Sequence, residues 1–128
     1  MGRPVHFEIH AADTDRAQAF YEAVFGWTIA RFDGPMDYRL ITTGTASPGI
    51  DGAILERRGP APEVGAPVSA FVVTVSVDDI AATEDAVKAN GGTQVLDRME
   101  IPNVGLLSYF SDTEGNIFGA LQPEGAGT

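Results

Sequence analysis

Residues 5–10, Val-His-Phe-Glu-Ile-His, alternate apolar and polar with period two, so Val5, Phe7 and Ile9 share one face of a strand. His6, Glu8 and His10 share the other, which is wholly polar. Asp13 is placed to cap a helix with apolar positions Ala17, Phe20, Tyr21, Val24 and Phe25, spaced i, i+3, i+4, i+7 and i+8, and Gly26 is placed to end it. Three strands follow, near Trp27–Phe32, Asp37–Thr43 and Ile50–Arg57. The turn Asp33-Gly34-Pro35 separates the first two, and a loop from Gly44 to Gly49 separates the last two. Residues 58–67 hold three prolines and two glycines and support neither helix nor central strand.

The pattern then restarts. Ala70–Val77 is a β-branched run, Asp78 or Asp79 caps a helix through Ile80, Thr83, Ala86 and Val87, and Gly91-Gly92 stops it. Thr93–Met99, Val104–Ser111 and Asn116–Gln122 supply three more strands. An offset of 66 residues places Phe7 on Val73, Ile9 on Val75, Asp13 on Asp79, Tyr21 on Val87 and Gly26 on Gly92. An offset of 67 places Gly52-Ala53-Ile54 on Gly119-Ala120-Leu121. The expected fold is α+β, two βαβββ modules forming a curved mixed sheet around a cleft that suits a small molecule. The first module spans 1–57, a linker 58–68, the second module 69–123 and a tail 124–128.

A length of 128 residues allows one domain or two small modules sharing a core. Eight Lys and Arg against 18 Asp and Glu give a formal charge of -10, the wrong sign for nucleic acid or an anionic membrane. The balance favours a cationic small molecule, or serves solubility alone. The absence of cysteine excludes disulfides, thiolate metal sites and a cysteine nucleophile. The first residues show neither the basic start nor the apolar run of a signal peptide, and no stretch is apolar for long enough to cross a bilayer. A cytoplasmic location is expected.

Five segments carry a resemblance: Val5–Ile9, Arg16–Trp27 with its Phe-Tyr and Phe-Gly-Trp, Val75–Asp79, Ile101–Gly105 and Asp112–Gly119. Their order and spacing resemble the vicinal oxygen chelate superfamily of glyoxalase I, bleomycin-resistance proteins and extradiol dioxygenases, and most of all its small glyoxalase-like members. The resemblance implies a homodimer and a metal held by one residue on the first and last strand of each module, His or Glu in most members. Carried over by position, these residues are His6, Gly52, Val72 and Gly119. Only His6 retains a ligand, and glycine and valine offer no donor, so no family metal and no other cofactor is expected. Asp51 and Glu56 flank Gly52, but a one-residue slip turns a side chain to the opposite face. A divalent metal held through other residues stays an open alternative.

Glu8 and His6 are the candidate catalytic pair, a carboxylate able to orient an imidazole for acid–base work. A polar strand face satisfied by water is the alternative. His6 and His10 lie about 13 Å apart at roughly 3.3 Å rise per residue, too far for one ion. The candidate ligand-binding residues are His10, Gly52, Ile54, Val72, Thr74, Ser76, Gly119 and Leu121, with Ile117 beside them. On this reading they share the cleft face, with Thr74 and Ser76 as hydrogen-bonding groups. Ordinary core packing is the competing account. Of Trp27, Tyr38, Tyr109 and Phe110, one or two are expected on the cleft wall. Ile101–Gly105 is a cleft-edge loop or an ordinary turn, and Asp112–Asn116 a tight turn without the carboxylates of a calcium loop. No phosphate loop or serine triad is present.

The expected function is binding of a small organic molecule without metal. The alternatives are a lyase, isomerase or dioxygenase acting on a metabolite, and a protein that sequesters a drug.

Overall fold

The computed structural model describes residues 2–63, 71–113 and 116–125. The elements run β1 (Arg3–Ala11), α1 (Thr14–Phe25), β2 (Thr28–Arg31), β3 (Tyr38–Thr42), β4 (Asp51–Glu56), β5 (Val72–Ser76), α2 (Ile80–Ala89), β6 (Thr93–Ile101), β7 (Gly105–Ser111) and β8 (Ile117–Pro123). This is βαβββ twice, an α+β fold of mixed sheets. The chain divides into two units, His6–Phe71 and Met1–Val5 with Val72–Thr128, so the start of β1 groups with the second module.

In the first unit the strand order is β2-β3-β4-β1. β1 and β4 are parallel because α1 and two strands intervene, while β2–β3 and β3–β4 are antiparallel. α1 begins where the Asp13 carboxylate accepts from the Arg16 amide at 3.0 Å. It ends at Gly26, whose φ of 71° is the left-handed region a β-carbon disfavours. Phe7, Ile9, Ile29, Ile41 and Ile54 form the core, and Ala17 and Tyr21 of α1 pack on it. Phe20, Val24 and Phe25 stay exposed. The apolar arc of α1 is wider than its seam with the sheet, and only the Ala17–Tyr21 stripe is covered.

Arg39 ties α1 to β3 on this side. Its guanidinium donates to Asp15 at 2.7 Å, to Gln18 at 2.9 Å and to Asp37 at 3.0 Å. Thr14 donates to the other oxygen of Asp37 at 2.7 Å.

The second unit repeats the plan, with β5-β8-β7-β6 in order, β5–β8 parallel and the others antiparallel. Asp79, rather than Asp78, caps α2 through the Ala82 amide, and Gln122 accepts from the Ile80 amide at 2.9 Å. Ile80, Phe110 and Ala120 form this core with Val77, Val87, Leu106 and Phe118 around them. Ile101–Gly105 is a tight turn of the β6–β7 hairpin, closed by Val104 N–H to Ile101 at 3.0 Å, with Asn103 at a φ of 66°. Between β7 and β8 the Asn116 amide donates to the Asp112 carboxylate at 2.9 Å, and residues 114 and 115 of the expected tight turn lie outside the described residues. Much of the Pro-rich segment and the last three residues lie outside the described residues.

Candidate functional site

Register decides which side chains share a face. β1 and β4 pair His6 with Asp51, Phe7 with Gly52, Glu8 with Ala53, Ile9 with Ile54 and His10 with Leu55. β3 continues the rows, with Tyr38 opposite Leu55 and Leu40 opposite Ala53. Paired residues project to one side, so His6, Glu8, His10, Asp51, Ala53, Leu55, Tyr38 and Leu40 form one face of the first unit's sheet. Phe7, Ile9, Ile41, Gly52 and Ile54 form the helix-covered face.

This corrects two sequence expectations. Gly52 and Ile54 do not join His6 and Glu8 on the polar face. A β-carbon on Gly52 would meet the Phe7 carbonyl oxygen at 2.5 Å and the Phe7 ring at 2.7 Å. Ile54 is wholly buried in the core beneath α1. The offset of 67 is also corrected. Glu8 pairs with Ala53 and Thr74 with Gly119, so the offset of 66 that superposes Glu8 on Thr74 superposes Ala53 on Gly119.

Glu8 is the most enclosed ionisable group of the polar face, 2 % exposed. On one side His10 Nε2 lies 3.5 Å from a Glu8 carboxylate oxygen, an ion-pair distance beyond good hydrogen-bond range. That nitrogen is buried and has no hydrogen-bond partner. Toward the other end of the strand, His6 Nε2 and the Tyr38 hydroxyl are 3.2 Å apart. Burial lowers the His6 pKa, against the opposing charges of Glu8 and Asp51. Burial, reinforced by Glu8, pushes the Tyr38 phenol up to about 12, which keeps it protonated at neutral pH. The face therefore offers a buried carboxyl group, a neutral-leaning imidazole and a phenol able to donate.

In the second unit, register places Thr74, Gly119 and Tyr109 in one row and Ser76, Leu121 and Leu107 in the next. Ile117 lies on the same side, and strand alternation adds Val72. Thr74 is 2 % exposed and its hydroxyl has no hydrogen-bond partner. Gly119 lies beneath it, since a β-carbon there would come within 3.2 Å of the Thr74 Oγ. Of the four aromatic candidates, Tyr38 and Tyr109 occupy these faces. Trp27 stacks on Tyr21, and Phe110 fills the second core.

Sequence reasoning missed the pairing of His6 with Tyr38 and the placement of Asp51, Ala53, Leu40 and Leu55 beside Glu8. The uniform 66-residue offset, applied through β4, would have found Ala53.

Donor chemistry tests the family's metal positions. With β4 in its observed register, the positions beside His6 and Glu8 are Asp51 and Ala53, and Asp51 already accepts from the Thr43 amide at 2.8 Å and its hydroxyl at 3.1 Å. Val72 and Gly119 of the second module supply no side-chain donor. Among the described residues no three His, Asp or Glu cluster as a metal would need. The residues do not fit the group.

The same βαβββ repeat occurs in methylmalonyl-CoA epimerase in complex with methylmalonyl-CoA and NH4+. The match has a TM-score of 0.68 at 15% identity over 98% of this chain and 97% of that one. A methylmalonyl-CoA epimerase from Mycobacterium tuberculosis matches with a TM-score of 0.63, at 15% identity, over 94% and 87% of the two chains. These likenesses establish the fold. A family described as "Bleomycin resistance protein-like N-terminal" matches residues 3–44. A glyoxylase-like domain-containing protein of Didymella fabae is 35% identical over 85% of this chain and 84% of its own length. The chain therefore belongs to the vicinal oxygen chelate superfamily, among its glyoxylase-like domains. The putative glyoxylase CFP32 of Mycobacterium bovis is also 35% identical over 85% of the chain, which spans only 40% of that relative. The anthracycline biosynthesis protein DnrV of Streptomyces peucetius is 25% identical over 91% of this chain and 46% of its own length. No helix among the described residues is long and apolar enough to cross a membrane.

Proposed function

We propose that this glyoxylase-like domain binds a small organic molecule, without a metal, on the polar sheet face of the first unit. The observation that carries the reading is Glu8, a carboxyl group 2 % exposed, standing between His10 at 3.5 Å and the His6–Tyr38 pair. Burying a carboxyl group is costly, and a buried carboxyl group grouped with imidazoles and a phenol marks a candidate functional site. Glu8 is closed to solvent while Leu40 and Asp51 are exposed, so a ligand lies along the rim and meets the half-buried His6 and Tyr38.

The experiment is a thermal-shift screen of metabolites on protein stripped with chelator. A ligand that binds only the native state raises the melting temperature, by an amount that grows with the logarithm of its concentration over its dissociation constant. The reading predicts organic compounds that stabilise the wild type in chelator and lose their effect in Glu8→Gln and Tyr38→Phe. Stabilisation seen only after adding Zn, Ni, Mn or Fe would overturn it.

A second reading, acid–base turnover of the bound molecule, is supported by Tyr38. A phenol held protonated beside a buried carboxyl group can donate to an oxygen on the ligand while Glu8 exchanges a proton, which is isomerase or lyase chemistry. The bleomycin-resistance-like match over residues 3–44 supports the third reading, sequestration of a drug, through the same face. Turnover by the wild type selects the enzyme; binding by the wild type with no turnover selects sequestration.

A further inference from the structure

The first unit contains a cavity of about 410 Å³ beside the polar face, lined by Arg31, Pro35, Met36, Asp37, Leu55, Glu56 and Arg58. Its volume lies within the ordinary range of small-molecule sites. Leu55 belongs to both, since it pairs with His10 across β1–β4 and with Tyr38 across β3–β4. We propose that this cavity binds the anionic group of an amphiphilic small molecule, a carboxylate or a phosphate ester, with Arg31 and Arg58 as its cationic pair.

Charge accounting within the wall supports an anion. Of the chain's eight basic side chains two line this one cavity, although acidic residues outnumber basic ones by ten. Neither Arg31 nor Arg58 takes part in a hydrogen bond or ion pair among the described residues, whereas Arg39 and Arg98 are each committed to carboxylates. The Asp37 carboxylate is engaged by hydrogen bonds from Arg39 and Thr14, which with a smaller contribution from the Arg31 charge hold its pKa down. Glu56 also lines the cavity, on the side of the sheet that Arg31 shares through the Arg31–Arg39 and Arg39–Ile54 pairs, and offsets part of the charge. Two guanidiniums without a hydrogen-bond partner among the described residues, set in a concave wall, bind planar or tetrahedral oxyanions through paired N–H donors. Met36 and Pro35 give the apolar part of such a ligand a surface, Met36 being 56% exposed. The net charge of -10 points to a cationic ligand, but a charge averaged over the molecule does not describe this wall.

The inference rests on the ligand-binding reading above, because the Leu55 wall would join the anionic end to whatever meets Tyr38 and His6. The test is an NMR titration of the whole chain with phenylacetate, phenyl phosphate, benzyl alcohol and benzylamine. Phenylacetate or phenyl phosphate should shift the Met36 and Leu55 methyl signals saturably, and the tighter of the two names the oxyanion. Arg31→Gln with Arg58→Gln should weaken that binding about tenfold, the loss of a charge-assisted hydrogen bond. The doubly Lys-substituted variant should retain most of it and shows that the fold survives. Glu56→Gln should tighten it. Equal binding of benzylamine, wild-type affinity in the Arg31→Gln, Arg58→Gln variant, or no binding of either anion would overturn the inference. Shifts confined to His6, Glu8 and Tyr38 would also overturn it while leaving the ligand-binding reading intact.

Discussion

Phe7 lies directly on Gly52: the space a β-carbon would need at position 52 is already held by the Phe7 carbonyl, 2.5 Å away, and the ring, 2.7 Å away. The pair belongs to the parallel β1–β4 ladder, so neither backbone can retreat without breaking the register that aligns Glu8 with Ala53. Gly52→Ala is expected to destabilise the fold by about 2 kcal/mol, in the range for overpacking a tight core. Gly119→Ala, whose β-carbon would meet only the Thr74 Oγ at 3.2 Å and the Tyr109 ring at 3.4 Å, should cost clearly less. Urea unfolding of both variants checks this; equal losses would contradict the assignment of Gly52 to packing.

Much of the fold was legible because its signals are local. Period two in residues 5–10, Asp13 and Asp79 as caps, and Gly26 as a stop each report on a few neighbouring residues. The second face of β4 was not, since Gly52-Ala53-Ile54-Leu55 is nearly all apolar and carries no alternation to orient it. Only the pairing with β1, a contact between residues more than forty apart, fixes which of them face Glu8. His6, Glu8 and His10 were legible as a group. Tyr38 looked like any other aromatic until the β3–β4 register brought it beside Leu55 and its hydroxyl to His6. Arg31 and Arg58, far apart in sequence, offered no motif at all.

Titration of His6 is the second prediction. Burial lowers its pKa from 6.5 while Glu8 and Asp51 act in the opposite direction. A ring held neutral by the fold contributes stability above pH 6.5, and that contribution is lost as pH falls through the lowered midpoint. Followed by NMR, the His6 ring should titrate below 6.5, and Glu8→Gln should move the midpoint lower still because a charge that raises it is removed. A midpoint that rises in Glu8→Gln would show that Glu8 does not act on His6.

Helix caps give a third prediction. Asp13→Ala and Asp79→Ala each remove a carboxylate that accepts an amide in the first turn, at 3.0 Å and 3.1 Å. Each should cost about 1 kcal/mol. The losses should add in the double variant if the two caps act independently, which calorimetry of the three proteins would show.

Arg39 provides the fourth. It is 8% exposed and joins Asp15, Gln18 and Asp37, so Arg39→Gln should lower stability at neutral pH. Arg39 holds the Asp37 pKa down, and stability from a lowered carboxyl pKa is lost as pH falls through the folded midpoint. The difference between wild type and variant should therefore narrow in acid. A gap that widens below pH 4 would assign Arg39 a purely steric role.

The central claim is that an organic molecule, and not a metal ion, occupies the face built around Glu8. A crystal structure of the chain with its most stabilising compound, grown in chelator, tests it most directly. The account predicts ligand atoms within hydrogen-bonding distance of Tyr38 or His6, against the face that holds Glu8. A metal ion bound to His6, or a ligand seated away from this face, would contradict it.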